Sequence, residues 1–315
     1  MNDQKDVRTK FPKMKLSGYE KIHILEGFNE ELRTDGRGLK EYRPIGLELG
    51  VIPHVEGSCR LRAGNVDLLV GLRAELETVL DSSVNIDDDV PIRMEFNVEL
   101  NPNSDVRFLG KEPIDLAEQI KAALSKAYDN DEALPQLKNL KLTRRLSWAV
   151  CAEIEVLGYD GNVIDYAGIA LKAALTDFKV PKMRVLSDVV DGLGAEMDGV
   201  EFPNEVEYIT LDSSRCPLFC TVNVVNDMLA LDVTEEEDTC VVSAVCVAMI
   251  LPKDKSDDYL ITYASTVHRG TMELSTTREL YKFAHEVIQQ LNLDLETFLK
   301  LEKTTKGDRT IGISF

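Results

Sequence analysis

Polar and apolar residues alternate through residues 147–157. Trp148, Val150, Ala152, Ile154 and Val156 fall on one face, Glu153 and Glu155 on the other. A period of two predicts a strand. Asp160-Gly161-Asn162 follows as a turn, because Gly and Asn tolerate positive φ and Asp can bond its own backbone. From Val163 to Leu175 the chain is apolar almost all round, interrupted only by Asp165, Tyr166 and Lys172. A helix without a polar face is expected to be buried. The turn also presents backbone N–H groups at a helix N-terminus, where phosphate can bind if the turn's side chains permit it.

The same pattern reading orders the rest of the chain. Ser17-Gly-Tyr-Glu20 is a capping box, and Ile22, Leu25, Phe28 and Leu32 then recur at helical spacing. Ile45, Leu47, Leu49 and Val51 alternate as a strand. Residues 58–63 form a second, closed by Gly64-Asn65 into a hairpin with residues 66–72. Asp81 to Asp89 reads as a loop, and Met94 to Leu100 as a strand. Pro113 opens a helix whose buried stripe is Leu116, Ile120, Ala123 and Leu124. The run 180–200 has three glycines and little periodicity, so it reads as a connector. Strands are expected over 205–211, 218–225, 228–233, 240–250 and 259–264, with a hairpin turn at Asn226-Asp227. A long helix over 276–300 then points Leu280, Phe283, Val287, Ile288 and Leu291 inward. Strands followed by a helix, twice over, predict an α+β protein with two similar lobes. The expected division is a mobile segment 1–16, a first lobe 17–180, a connector 181–204, a second lobe 205–300 and a tail 301–315.

Charge and composition narrow the chemistry. The 315 residues carry a formal net charge of −19, which argues against wholesale attraction to nucleic acid or anionic lipid. It suits docking onto basic neighbours. Six cysteines (Cys59, Cys151, Cys216, Cys220, Cys240, Cys246) lie mostly in apolar runs without a CxxC pair, so they are expected to be small core residues in a reducing compartment. The four histidines have no metal-ligand spacing, and no metal or cofactor is expected. The charged N-terminus does not read as a secretory signal and no run is long enough to span a membrane, so a soluble intracellular protein is expected. The most basic stretch is residues 138–145, KNLKLTRR, ending in Arg144 and Arg145.

Several motifs have a family likeness. Leu32-Arg33-Thr34-Asp35-Gly36-Arg37, Tyr42-Arg43, Gly57-Ser58 and Gly64-Asn65-Val66-Asp67, together with the Asp160-Gly161-Asn162 turn and helix and Leu231-Asp-Val-Thr-Glu-Glu-Glu237, resemble the RNase PH family over about residues 16–293. The helix at Glu20-Lys21, Gly71-Leu-Arg-Ala-Glu75 and residues 180–186 are most similar to the ring subunits of the eukaryotic RNA exosome. The resemblance implies an RNase PH-like fold of two pseudo-symmetric βαβα-type lobes (ribosomal protein S5 domain 2-like). It also implies assembly with other RNase PH-type ring subunits and S1/KH cap subunits around an RNA channel. The corresponding setting is rRNA maturation and mRNA turnover, in nucleus, nucleolus and cytoplasm.

Active members of that family cleave RNA from its 3′ end with inorganic phosphate, and three of their requirements can be traced here. They hold phosphate with Gly-Gly-Thr/Ser-Arg in the turn, where this chain has Gly161-Asn162-Val163-Ile164. They place an Arg-Arg pair before a helix, where this chain has Lys111-Glu112. They carry second-lobe carboxylates at positions that align with Val242 and Ala244. The remaining acids (Asp232, Glu235, Glu236, Glu237, Asp238) read as an exposed loop. No catalytic residue is therefore expected, and the chain reads as a non-catalytic ring subunit. Arg107 and Lys111, in the loop that the resemblance places by the channel, and Arg144 and Arg145 are the candidate RNA-backbone contacts. Asp35-Gly36-Arg37 reads as a structural turn whose Arg37 bonds neighbouring carbonyls. Two rivals remain: an active phosphate-dependent 3′-to-5′ exoribonuclease, and a small-molecule kinase of related lobe architecture. The kinase would need a Gly/Ser-rich phosphate loop that the chain lacks.

Overall fold

The computed structural model describes residues 16–78, 94–102, 112–142, 146–187, 198–201, 207–226, 228–252, 259–267, 274–305 and 311–313. The expected loop at 81–89, residues 1–15 of the segment 1–16 expected to be mobile, and Arg107, Lys111, Arg144 and Arg145 lie outside these residues.

The first sheet has six strands, in the order β14-β1-β2-β3-β5-β4. They are β1 (Ile45–Leu49), β2 (Gly57–Ala63), β3 (Val66–Thr78), β4 (Met94–Leu100), β5 (Leu146–Gly158) and β14 (Ile311–Ile313). Only β4 runs parallel to its neighbour β5; the other pairs are antiparallel. On β5 the apolar row Trp148, Val150, Ala152, Ile154 and Val156 is buried, as its alternation requires. The helices α2 (Glu112–Tyr128) and α3 (Val163–Asp177) cover this sheet. The stripe Leu116, Ile120, Ala123 and Leu124 of α2 is buried.

The second sheet is antiparallel, in the order β11-β10-β12-β13. It comprises β10 (Leu218–Val225), β11 (Met228–Leu231), β12 (Ser243–Ile250) and β13 (Leu260–Thr266). The β10–β11 hairpin turns at Asn226, whose φ is 47°, with Val225 opposite Met228. The 32-residue helix α5 (Leu274–Thr305) lies on β10 and β12 and buries Leu280, Ala284, Ile288, Leu291, Leu295, Phe298 and Leu299. Phe283 and Val287 are only half-buried. Between the sheets lies α3, touching β2 and β3 on one side and β10 on the other. That is why it needs no polar face. Its interruptions are buried too: Lys172 reaches Asn292 of α5, and Asp165 reaches Thr221 of β10.

Three expectations need correction. The helix α1 (Gly18–Asn29) starts at Ser17 with both capping-box bonds formed, but its inner face is Ile24 and Phe28. Of the stripe read from spacing, Phe28 faces inward and Leu25 packs against the same core, but Ile22 is 52% exposed and Leu32, beyond the end of the helix, is 57% exposed. The connector is not featureless: β6 (Lys179–Pro181), β7 (Arg184–Ser187) and β8 (Asp198–Glu201) form short antiparallel pairs, β6 with β9 (Tyr208–Thr210) and β7 with β8. Residues 205–211 therefore contribute a strand that pairs outside the second sheet. The stretch 301–315 is not a plain tail, since α5 runs to Thr305 and β14 pairs with β1. All six cysteines are free; four are buried, and Cys151 and Cys240 are half-buried. Among the described residues no helix is long and apolar enough to cross a membrane.

Candidate functional site

The turn between β5 and α3 is built as its residue types demand. Gly161 has φ 74° and Asn162 φ 54°, both in the left-handed region. A Cβ on Gly161 would stand 2.6 Å from the Val233 carbonyl, so glycine is required for space as well as for conformation. Val233 and its neighbours belong to the second lobe, which presses directly onto the turn. Asp160 fixes that contact. Its carboxylate accepts from the Glu235 N–H at 3.2 Å and from Arg43 Nη1 at 3.1 Å. Burial pushes the Asp160 carboxyl up, and the Arg43 charge opposes that shift.

The residues that follow the turn at the helix N-terminus are aliphatic and turned inward. Val163 is 3% exposed, and Ile164 packs against the core. In the first turn of α3 stands a buried carboxylate instead. Asp165 accepts from the Thr221 N–H at 2.9 Å, from Thr221 Oγ1 at 2.7 Å and from the Tyr42 hydroxyl at 3.1 Å. Burial pushes this carboxyl up to about 6, against the pull of the Thr221 hydrogen bonds. An internal acid at a helix N-terminus complements the dipole and disfavours a second anion there.

The three arginines of the Arg33-Thr-Asp-Gly-Arg37 and Tyr42-Arg43 motifs meet the second lobe a few residues away. Asp232, fully buried in the loop after β11, accepts five hydrogen bonds. They come from the Arg43 N–H, Nε and Nη2, from Arg37 Nη1 and from Asn162 Nδ2, all within 2.8–3.0 Å. Burial alone would raise the Asp232 carboxyl; the Arg43 hydrogen bonds and charge more than reverse this and hold it at about 2. Arg33 donates to the carboxylate of Glu237 and to the carbonyls of Leu231 and Asp232. Arg37 also pairs with Asp35 and donates to the Glu41 carbonyl. Arg33, Arg37 and Arg43 are 3%, 9% and 5% exposed. They clamp one lobe to the other.

This corrects the reading of residues 232–238 as an exposed loop. Asp232 is 0% and Glu237 1% exposed, and residues 235–238 form a short helix, α4 (Glu235–Asp238), capped by Thr234. The contacts span about two hundred positions of sequence, which no local pattern displays. The signal was still present: three arginines within two neighbouring motifs of an acidic chain require buried acids if the motifs themselves are buried. Arg37 does bond a neighbouring carbonyl, as the turn reading expected, and adds two ion pairs. Val242 is 59% exposed and Ala244 fully buried on β12, so neither position offers an ionisable group. Among the described residues no group of three or more His, Cys, Asp or Glu is arranged to hold a metal ion. The candidate RNA contacts Arg107, Lys111, Arg144 and Arg145 fall outside the described residues.

Known proteins share this architecture. A profile described as the 3′ exoribonuclease family, domain 1, matches residues 41–181. The exosome complex component Rrp42 of Pyrococcus furiosus is 30% identical over 223 residues, 71% of this chain and 75% of that protein. The chain belongs to the RNase PH family. A second relative within the family, the exosome complex component rrp43 of Schizosaccharomyces pombe, is 31% identical over 159 residues, half of this chain and 56% of that protein. Among solved structures, a chain of the Archaeoglobus fulgidus exosome with RNA bound to the active site superposes with a TM-score of 0.68. It is 22% identical and is covered to 98%, against 89% of this chain. The α+β, RNase PH-like fold implied by the sequence motifs is thus the fold observed, and the clamp of Arg33, Arg37, Arg43 and Asp232 is this RNase PH chain's join between its lobes.

Proposed function

We propose that the chain is a non-catalytic structural subunit of an RNA exosome ring. It supports 3′-to-5′ RNA processing and degradation by joining neighbouring RNase PH-type subunits and S1/KH cap subunits and by lining the RNA channel. The observation that carries this reading is the turn after β5. A phosphorolytic site needs a hydroxyl, a guanidinium and open N–H groups converging on phosphate. This turn instead supplies buried Val163, core-packed Ile164 and the carboxylates of Asp160 and Asp165. The nearby guanidiniums are already held by Asp232, Glu237 and Asp160. A helix terminus alone contributes about 0.3–1 kcal/mol toward an exposed anion, too little to fix phosphate against two carboxylates. Residence in nucleus, nucleolus and cytoplasm follows from the proposed RNA substrates, and imaging of a tagged chain tests it.

The second reading, an active phosphate-dependent exoribonuclease, is favoured by the family match over residues 41–181. Purified chain, alone and assembled with its ring neighbours, separates the two when incubated with inorganic phosphate and end-labelled single-stranded RNA. The structural reading expects no nucleoside diphosphate release from the isolated chain. Phosphate-dependent release by that chain overturns it.

A further inference from the structure

Edge strands decide what a sheet can still bind, because they carry unpaired backbone N–H and C=O groups. The six- and four-stranded sheets end in four of them: β14 and β4, β11 and β13. Three are short or guarded. β14 has three residues and itself covers the edge of β1. β11 has four, and the Leu231 N–H at its end bonds the Leu39 carbonyl at 2.8 Å. β4 has seven, but Glu95 and Glu99 stand exposed along it, two charges that a pairing strand would have to cover.

β13 is different. Its seven residues, Leu260 to Thr266, include no charge and no proline. Leu260, Ile261, Ala264, Thr266 and, just beyond, Val267 are exposed. The Val267 N–H bonds the Ala244 carbonyl of β12 at 2.8 Å. Antiparallel pairing alternates, so Ser265 and Tyr263, opposite Cys246 and Ala248, also face β12. Ala264 and Thr266 therefore turn their N–H and C=O groups outward. The register shift between Ala248 and Met249 lies on the Leu260 side and leaves this stretch regular. The strand is held in place. The Tyr263 ring packs on buried Phe219 of β10, 6.2 Å between centroids, and α2 touches the strand.

We infer that β13 pairs along this edge with an extended, uncharged strand of a neighbouring ring subunit, which adds a fifth strand to the second sheet. The inference rests on the ring reading and names one of its joints. Backbone bonds to Ala264 and Thr266 supply the contact, and the exposed side chains select the partner. A charge placed opposite Ala264, Thr266 or Val267 would lose water without gaining a counter-ion, so β-branched and apolar residues fit there. A second copy is a poor occupant, since each chain carries a net charge of −19 and the two would repel.

The test follows hydrogen exchange over residues 260–267 of the full chain, free and in its assembled ring. The Ala264 and Thr266 amides, open in the free chain, should exchange roughly tenfold or more slowly in the ring. Ala264→Pro removes one outward donor, and Thr266→Lys sets a charge on the edge. Each should weaken entry into the ring roughly tenfold. Thr266→Lys alters only an exposed side chain, so its melting temperature should hold, and it carries the test if the proline variant misfolds. Exchange as fast in the ring as in the free chain overturns the inference, and so does ring entry indifferent to Thr266→Lys. Crosslinks from a photoreactive residue at Thr266 to a second copy, to the same chain or to a charged segment overturn it too. An assembled ring without protection refutes this joint and leaves the ring reading standing; a chain that enters no ring refutes both.

Discussion

Replacing Asp232 by asparagine tests the lobe clamp most directly. The side chain keeps its size, and one oxygen can still accept from Arg43, but the charge is lost. The carboxyl is held at about 2, roughly two units below its ordinary value near 4. At about 1.4 kcal/mol per unit, the folded state favours the ionised form by about 2–3 kcal/mol at neutral pH. Asp232→Asn should cost about that much. Asp232→Ala should cost more, toward the roughly 3–5 kcal/mol seen when one partner of a buried ion pair is deleted, because Arg37 and Arg43 stay buried without it. The pH dependence has a definite sign. A lowered folded-state pKa contributes stability that is complete above about 4 and lost as pH falls through about 2. Urea unfolding at pH 7 and across pH 4 to 2, with exposed Glu236→Gln as the control, measures both. A loss at pH 7 no larger than the control's, with an unchanged acid limb, would show that the clamp does not hold the lobes.

Asp165 should behave oppositely: its raised carboxyl contributes stability that is complete below about 4 and lost as pH rises through about 6. Asp165→Asn should therefore flatten the change in melting temperature between pH 4 and 7. Gly161→Ala should destabilise by about 3 kcal/mol or more, from positive φ plus contact with the Val233 carbonyl, whereas Gly36→Ala, with φ 84° and open space, should cost about 1 kcal/mol; thermal melts of both variants check the contrast. A thiol reagent should label Cys151 and Cys240 in the native protein and leave buried Cys59, Cys216, Cys220 and Cys246 untouched until unfolding, as counted by mass spectrometry.

Local pattern made much of this fold legible. The alternation at 147–157, the turn at 160–162 and the unbroken apolar run after it predicted β5, its turn and α3, because a buried element must write its environment into its own period. The capping box at Ser17 marked the start of α1 for the same reason. The core side of α1 showed only in part: Leu25 and Phe28 were read correctly, but Ile24 was missed for exposed Ile22, since apolar residues on two faces leave the period ambiguous. The short strands at 179–187 were hidden because a three- or four-residue pairing has no room for a pattern. At the site, the aliphatic residues that follow the turn, Val163 and Ile164, could be read directly. The burial of Asp232 and Glu237 could not, because their partners Arg33, Arg37 and Arg43 lie near the other end of the chain.

The sandwiching of α3 has a consequence for inheritance. Both sheets use this one helix as their wall, so neither half can be shed or traded alone. A premature stop after the connector would leave β10's side of α3 bare, and quality-control proteases recognise such stripped greasy helices. A substitution in the turn at 160–162 leaves this shared wall in place, whereas one on α3 is felt by both halves at once.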